Sequence, residues 1–241
     1  SLEEQHSEYF VLSLESASGI SISGTPTTTI YIVDNDSQAP TPSNQIELNY
    51  IGSFDPSGAS TSTCEIVVHD PTSQRLFTTS AVAGYLDIID FSNPTNPSVI
   101  SSVNINPYGG VTSVAVKNGI VAVASPNADE TLNGSIVFFN NNGTFLNQVT
   151  VGALPDMITF SPDGTKVMTA NEGQPNTDYS IDPEGSVSIV DISGGIASLS
   201  QSNVTTLLFT AYNTQEATLI ASGVRKLKST STLSQDFEPE Y

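Results

Sequence analysis

Between positions 171 and 186 the chain carries Glu172, Asp178, Asp182 and Glu184 and no lysine, arginine or histidine. Carboxylates gathered without a counter-charge repel one another unless they are protonated, solvated or neutralised by a cation. Hard oxygen donors of this kind suit Ca²⁺, Mg²⁺ or Mn²⁺. Three more acids, Glu65, Asp156 and Glu240, fall at equivalent places in an internal repeat and are expected to join Glu172 as metal ligands. A second reading of the same acids is that they cap turns, accept backbone N–H bonds and face water. Arg225, Lys226 and Lys228 are three of only six basic residues and lie within four positions. Beside a metal they could hold phosphoryl oxygens; the plainer reading is a solvated loop. His6 and His69 have no His or Cys at ligand spacing, and Cys64 is expected to be a small buried apolar residue. With no Gly-x-Ser-x-Gly, Walker or dinucleotide motif, the commonest serine-hydrolase and nucleotide chemistries fall away.

The elements that must position these acids are read from the repeat. Each unit opens with a hairpin: 65–68 to 76–79, 114–116 to 120–123, and 158–160 to 167–169. The turns are Asp70-Pro71-Thr72-Ser73, Asn118-Gly119 and Pro162-Asp163-Gly164, residues that hairpin turns select for positive or fixed φ. A third strand follows Gly84, Gly134 and Gly185, which stand 50 and 51 residues apart, and a fourth is expected over 99–105, 145–151 and 204–209. Four strands per unit at this period predict an all-β fold, a partial β-propeller of about three four-stranded blades. Leu48 to Phe54 reads as a ring-closing outermost strand. The residue just before each innermost strand is Glu65, Thr112, Asp156 and Glu240, so carboxylates are expected to gather at one mouth of the axial channel. The loop after the second strand of the third blade, which holds Glu172, opens on the same face. A closed ring needs at least four blades, so the chain reads as an internal piece of a longer polypeptide whose remaining blades are its first partners.

Ahead of the repeat, Tyr9–Leu14 and Thr27–Val33 read as two strands, closed by Asp34-Asn35-Asp36. The stretch 37–47, rich in Ser and Pro, reads as a linker to the propeller at 48–241. The 241 residues include 6 basic and 25 acidic side chains, a net charge of −19. No nucleic-acid partner is expected, because phosphate binding needs a basic footprint. Apolar runs are strand-length, so no transmembrane helix is expected. A single cysteine rules out an internal disulfide framework.

Two resemblances bear on function. Residues 1–36 resemble the C-terminal part of a Calx-β domain, carried by Glu8-Tyr9-Phe10-Val11-Leu12-Ser13-Leu14 and Ile30-Tyr31-Ile32-Val33-Asp34-Asn35-Asp36. That resemblance implies Ca²⁺ ligation by Asp34 and Asp36. Residues from Tyr50 onward resemble the choice-of-anchor I family of secreted or surface-anchored bacterial β-propellers. The carrying motifs are Gly152-Ala153-Leu154-Pro155-Asp156-Met157, Ser161-Pro162-Asp163-Gly164, Ala170-Asn171-Glu172-Gly173, Asp182-Pro183-Glu184-Gly185-Ser186-Val187-Ser188-Ile189 and Gln235-Asp236-Phe237-Glu238-Pro239-Glu240-Tyr241.

This second resemblance implies a bacterial protein that is secreted or held at the cell surface. Some members of the family carry alkaline-phosphatase or nuclease labels. The expected function is an extracellular scaffold or recognition module that binds Ca²⁺ and meets a surface protein or glycan. One alternative is a metal-dependent phosphoesterase built on Glu65, Asp156, Glu172 and Glu240, with Arg225, Lys226 and Lys228 on the phosphate. A further alternative is a structural subunit of a surface filament or secretion assembly.

Overall fold

The structure is a computed structural model that describes residues 8–13, 26–32, 48–56 and 64–240. The chain divides into two units, Ser1–Tyr50 and Ile51–Tyr241. In the first, β1 (Glu8–Ser13) and β2 (Thr27–Ile32) form an antiparallel pair. Asp34 and Asp36 lie outside the described residues, as does the linker stretch 37–47.

The second unit is built from three four-stranded antiparallel sheets, each running in sequence order. The first holds β3 (Cys64–Asp70), β4 (Arg75–Ser80), β5 (Tyr85–Asp90) and β6 (Ser98–Asn104). The second holds β7 (Ser113–Lys117), β8 (Ile120–Ser125), β9 (Asn133–Asn140) and β10 (Phe145–Ala153). The third holds β11 (Pro155–Phe160), β12 (Lys166–Asn171), β13 (Ser186–Asp191) and β14 (Val204–Leu208). The opening strands lie side by side, β7 between β3 and β11, as propeller blades arranged around an axis require.

The middle sheet shows why its strands read as unbroken apolar runs. Side chains alternate across a strand with period two. Val121, Val123, Val137 and Phe139 pack with Phe77, Leu86 and Ile88 of the first sheet. Their neighbours Ala122, Ala124, Ile136 and Phe138 pack with Ile158, Val167 and Val190 of the third. Phe138 is fully buried in that second layer, so Phe138→Ala is expected to cost about 3–5 kcal/mol of unfolding free energy. Urea denaturation followed by circular dichroism checks it, and a loss under about 1 kcal/mol would contradict this packing.

The repeated glycines have a steric cause. A β-carbon on Gly134 would come 2.5 Å from Pro155 Cδ, and one on Gly185 would collide with the Phe237 carbonyl oxygen. In both cases the chain entering the next unit passes over the head of the third strand, so the glycine there leaves no room for a side chain.

Two expectations need correction. Leu48 to Phe54 is not a ladder strand: its backbone makes no sheet pairing, and Leu48 and Tyr50 are 91% and 83% exposed. None of the sheets of the described residues includes it. Glu240, expected just before the next innermost strand, lies in an irregular stretch, 237–240, that follows a short helix, α2 (Leu233–Asp236). Cys64 is exposed rather than buried, standing at the first position of β3. The long connection after β14 contains one more helix, α1 (Glu216–Ala221), of six residues. Among the described residues no helix is long and apolar enough to cross a membrane.

Candidate metal centre

Asp156, Glu172 and Glu240 converge. Their nearest carboxylate oxygens all lie within 4.8 Å of one another. Each arrives by a different route. Asp156 is the extra residue of a bulge in β11, between Pro155, which pairs with Asn171, and Met157, which pairs with Ala170. Bulges of this kind re-aim a side chain out of the ladder. Just before it, Leu154 takes a left-handed turn, φ +47°. The Glu172 N–H donates to the Leu154 carbonyl at 2.9 Å, and the Gly173 N–H donates to the Ala153 carbonyl at 3.1 Å. These two bonds fix the start of the long loop beside the bulge.

Glu240 is delivered by the connection that follows β14. Ser231 Oγ donates to Asp182 at 2.7 Å, Gln235 Nε2 donates to the Asp182 carbonyl at 2.7 Å, and Ser234 Oγ donates to Glu184 at 2.9 Å. The Gly185 N–H donates to the Ser234 carbonyl at 3.1 Å. A capping box between Thr232 and Gln235 starts α2 at this junction. The loop of the third blade is thus the dock on which the incoming segment lies, and 237–240 runs on from it to the triad.

The electrostatics divide the acids into two groups. Asp90, Asp163, Asp178 and Asp191 accept hydrogen bonds in local turns, from Ser92, from Ser161 and Thr165, from Ser180 and from Ser193, and all four are held below the usual aspartate range. Asp156 and Glu172 shift the other way. Burial raises Asp156 first, and the charges of Glu65 and Glu240 add to it, while a hydrogen bond with Glu172 opposes. Glu172, 7% exposed, is pushed up to about 7 by burial and then by Asp156, against a hydrogen bond from Gln174 Nε2 at 2.6 Å. Glu240 and Glu238 raise it further. Every charge named here as acting on these two groups is another carboxylate.

The acids of the loop therefore fall into two settings. Asp178, Asp182 and Glu184 accept hydrogen bonds from serine hydroxyls, whereas Glu172 belongs to the triad. Glu65 is exposed on β3, near enough to act on Asp156 but outside the triad. The basic residues do sit in a connection that packs on the acidic loop, but the lysines are engaged. Lys226 pairs with Glu216 at 2.8 Å, and Lys228 lies 3.3 Å over the Tyr179 ring. Arg225 is exposed. Sequence reasoning missed Gln174 and Glu238. The signal for both was spacing, each being two residues from a triad member.

In the metal-free protein this geometry sets a pH dependence. The Glu172 carboxyl is pushed up to about 7 in the folded chain, against an ordinary value of 4.5. Between those limits the folded chain holds a proton that the unfolded chain has released, so stability falls as pH rises through the window. With chelator present, the protein is expected to be more stable at pH 5 than at pH 8. The share due to Glu172, on the order of 2 kcal/mol once screening is allowed for, should vanish in Glu172→Gln. Urea midpoints of both proteins at the two pH values check this, and parallel profiles would contradict it.

Three up-and-down four-stranded sheets with adjoining opening strands place the protein in the β-propeller class. Residues 65–241 match the choice-of-anchor I domain, and the chain belongs to that family. No curated protein matches it. Among solved structures it is similar to the C-terminal WD40 domain of Sif2, at 12% identity over 56% of this chain and 35% of that one, TM-score 0.41. Hydrazine synthase from Kuenenia stuttgartiensis gives 12% identity over 58% and 40%, TM-score 0.43. A functionally unknown protein from Desulfotomaculum acetoxidans gives 15% over 58% and 45%, TM-score 0.40. The chain spans less than half the length of each.

Proposed function

We propose that this chain is part of a cell-surface β-propeller that works as a scaffold or recognition module and is held together by a divalent cation, Ca²⁺ first among them. The observation that carries the reading is the convergence of Asp156, Glu172 and Glu240 within 4.8 Å. Oxygens 2.3–2.6 Å from a Ca²⁺ ion stand up to about 5 Å apart across it, so one ion fits the whole set. Mg²⁺, at 2.0–2.1 Å, reaches only about 4.2 Å and suits the outer limit less well. Three carboxylates supply part of a six- to eight-oxygen shell, and carbonyls and water complete such shells.

The ion would act as a staple. Two of its ligands belong to the third blade and the third to the segment that follows, so binding would fasten one unit to the next. Exposed loop faces on a stapled ring suit recognition of a surface protein or glycan. Family membership supports the surface location, and the acidic ending Asp34-Asn35-Asp36 supports a second Ca²⁺ contact in the first unit.

Metal analysis after dialysis, combined with a phosphomonoester assay, tests the reading. Bound Ca²⁺ without turnover is the expected result. Metal-dependent phosphate release, lost in Arg225→Ala, would replace the scaffold with the phosphoesterase. Absence of bound metal would remove the staple.

A further inference from the structure

The first blade has a recess, mostly apolar in its exposed wall, that the metal centre does not use. It measures about 210 Å³ and is lined by Ser80, Ala83, Tyr85, Asp87 and Ser102. Asp87 is 4% exposed, and Ser102 Oγ donates a hydrogen bond to it. Ser80 is 2% exposed, and its hydroxyl has no hydrogen-bond partner. A buried hydroxyl without a partner and a buried carboxylate without a counter-ion both carry a desolvation cost that a suitable ligand would relieve.

The repeat explains why the space exists. Ser80, Ser125 and Asn171 occupy the same place, each paired with the residue after the repeated glycine, namely Tyr85, Ser135 and Ser186. By the same alignment Asp87 corresponds to Val137 and Ser188. In the third blade the Asn171 amide fills the place and donates to Ser186 and Ser188 at 3.1 and 3.0 Å. In the second, Ser125 Oγ donates to the Gly110 carbonyl at 2.6 Å. The first blade has the shorter Ser80 and, in Asp87, an acceptor that asks for N–H donors from elsewhere.

We infer that this recess binds a primary ammonium group. Such a group carries three N–H donors and no acceptor. One donor meets the Asp87 carboxylate and another the Ser80 oxygen. The Tyr85 ring, 37% exposed, offers an aromatic face to the cation, and Ala83 adds an apolar wall for a methylene stem. The volume is below the roughly 300 Å³ at which pockets take whole small molecules, so it is sized for the end of a side chain. None of the lining residues is basic. The ammonium therefore comes from outside, as a partner's lysine or as a free alkylamine.

The test titrates the full chain, labelled with ¹⁵N, with butylammonium chloride and separately with an N-acetyl-lysine N-methylamide probe, using the norleucine analogue as control. Saturable shifts at the amides of Ser80, Tyr85, Asp87 and Ser102 are expected with the ammonium probes and not with norleucine. Asp87→Asn should weaken binding at least about tenfold, as loss of a charged hydrogen bond does. Ser80→Asn, which copies the third blade, should block the recess while leaving the fold intact, so the result does not depend on how Asp87→Asn folds. Tighter binding of the lysine probe points to a partner's lysine, and equal or tighter binding of butylammonium to a free amine. No saturable shift with either probe, or undiminished binding in Ser80→Asn, would overturn the inference.

Discussion

Replacing Glu172 by glutamine is expected to act in opposite directions on the metal-free and the Ca²⁺-loaded protein. Without metal, the substitution removes a carboxyl that burial and Asp156 have raised to about 7. At pH 8 the variant should therefore unfold at a higher urea concentration than the parent. With Ca²⁺, the same change deletes one of three charged ligands, and Ca²⁺ affinity follows ligand charge count over decades. A loss on the order of a hundredfold is expected, so that Ca²⁺ no longer raises the unfolding temperature at concentrations that saturate the parent. A residue that only supported the loop would destabilise both states. Thermal unfolding of parent and variant, in chelator and in Ca²⁺, separates the two, and destabilisation in both conditions would contradict the metal role.

Gly185→Val is expected to give the second large effect. A β-carbon there collides with the Phe237 carbonyl oxygen and crowds Pro239. Backbone cannot swing aside as the end of a side chain can, so the segment 237–240 must lift off the third blade. The cost should be on the order of 3 kcal/mol. Glu240 would move with the segment, so Ca²⁺ affinity should fall although no ligand has been changed. Gly110→Ala is the control, because its β-carbon would meet only the Pro126 ring, Cγ at 3.5 Å and Cδ at 3.8 Å, ordinary contacts, and its effect should stay within about 1 kcal/mol. Calorimetric Ca²⁺ binding and denaturation of both variants check the pair. An unaltered Ca²⁺ affinity in Gly185→Val would break the link between docking and site.

The three hairpins, their turns and the third strands were legible because period-two alternation, Asn-Gly and Pro-Asp-Gly turns and the spaced glycines are local signals. Asp156 and Glu240 were legible for a different reason, because a repeat carries equivalent positions to one end of an axis, and Glu172 because its loop opens on that same face. Glu65 shares the equivalent place and also lies at a register shift, between Cys64 and Val67 in β3, yet it stays outside the triad, whereas the bulge between Pro155 and Met157 sets Asp156 beside Glu172. Bulges leave little trace in sequence. Glu240 was placed just before the next innermost strand by analogy with the earlier units, whereas the docking of its segment against Gly185 and α2 left no local signal. The engagement of Lys226 and Lys228 was not legible, since it depends on where Glu216 and Tyr179 fall in a connection that breaks the repeat.

The claim that Asp156, Glu172 and Glu240 hold one cation is tested most directly by calorimetric titration of Ca²⁺ into the metal-free chain at pH 8. Asp34→Asn and Asp36→Asn in the background keep the first unit from contributing. One Ca²⁺ per chain is expected, with Mg²⁺ weaker, and with binding abolished when Asp156→Asn is added. No saturable heat, or the same affinity after Asp156→Asn, would contradict the account.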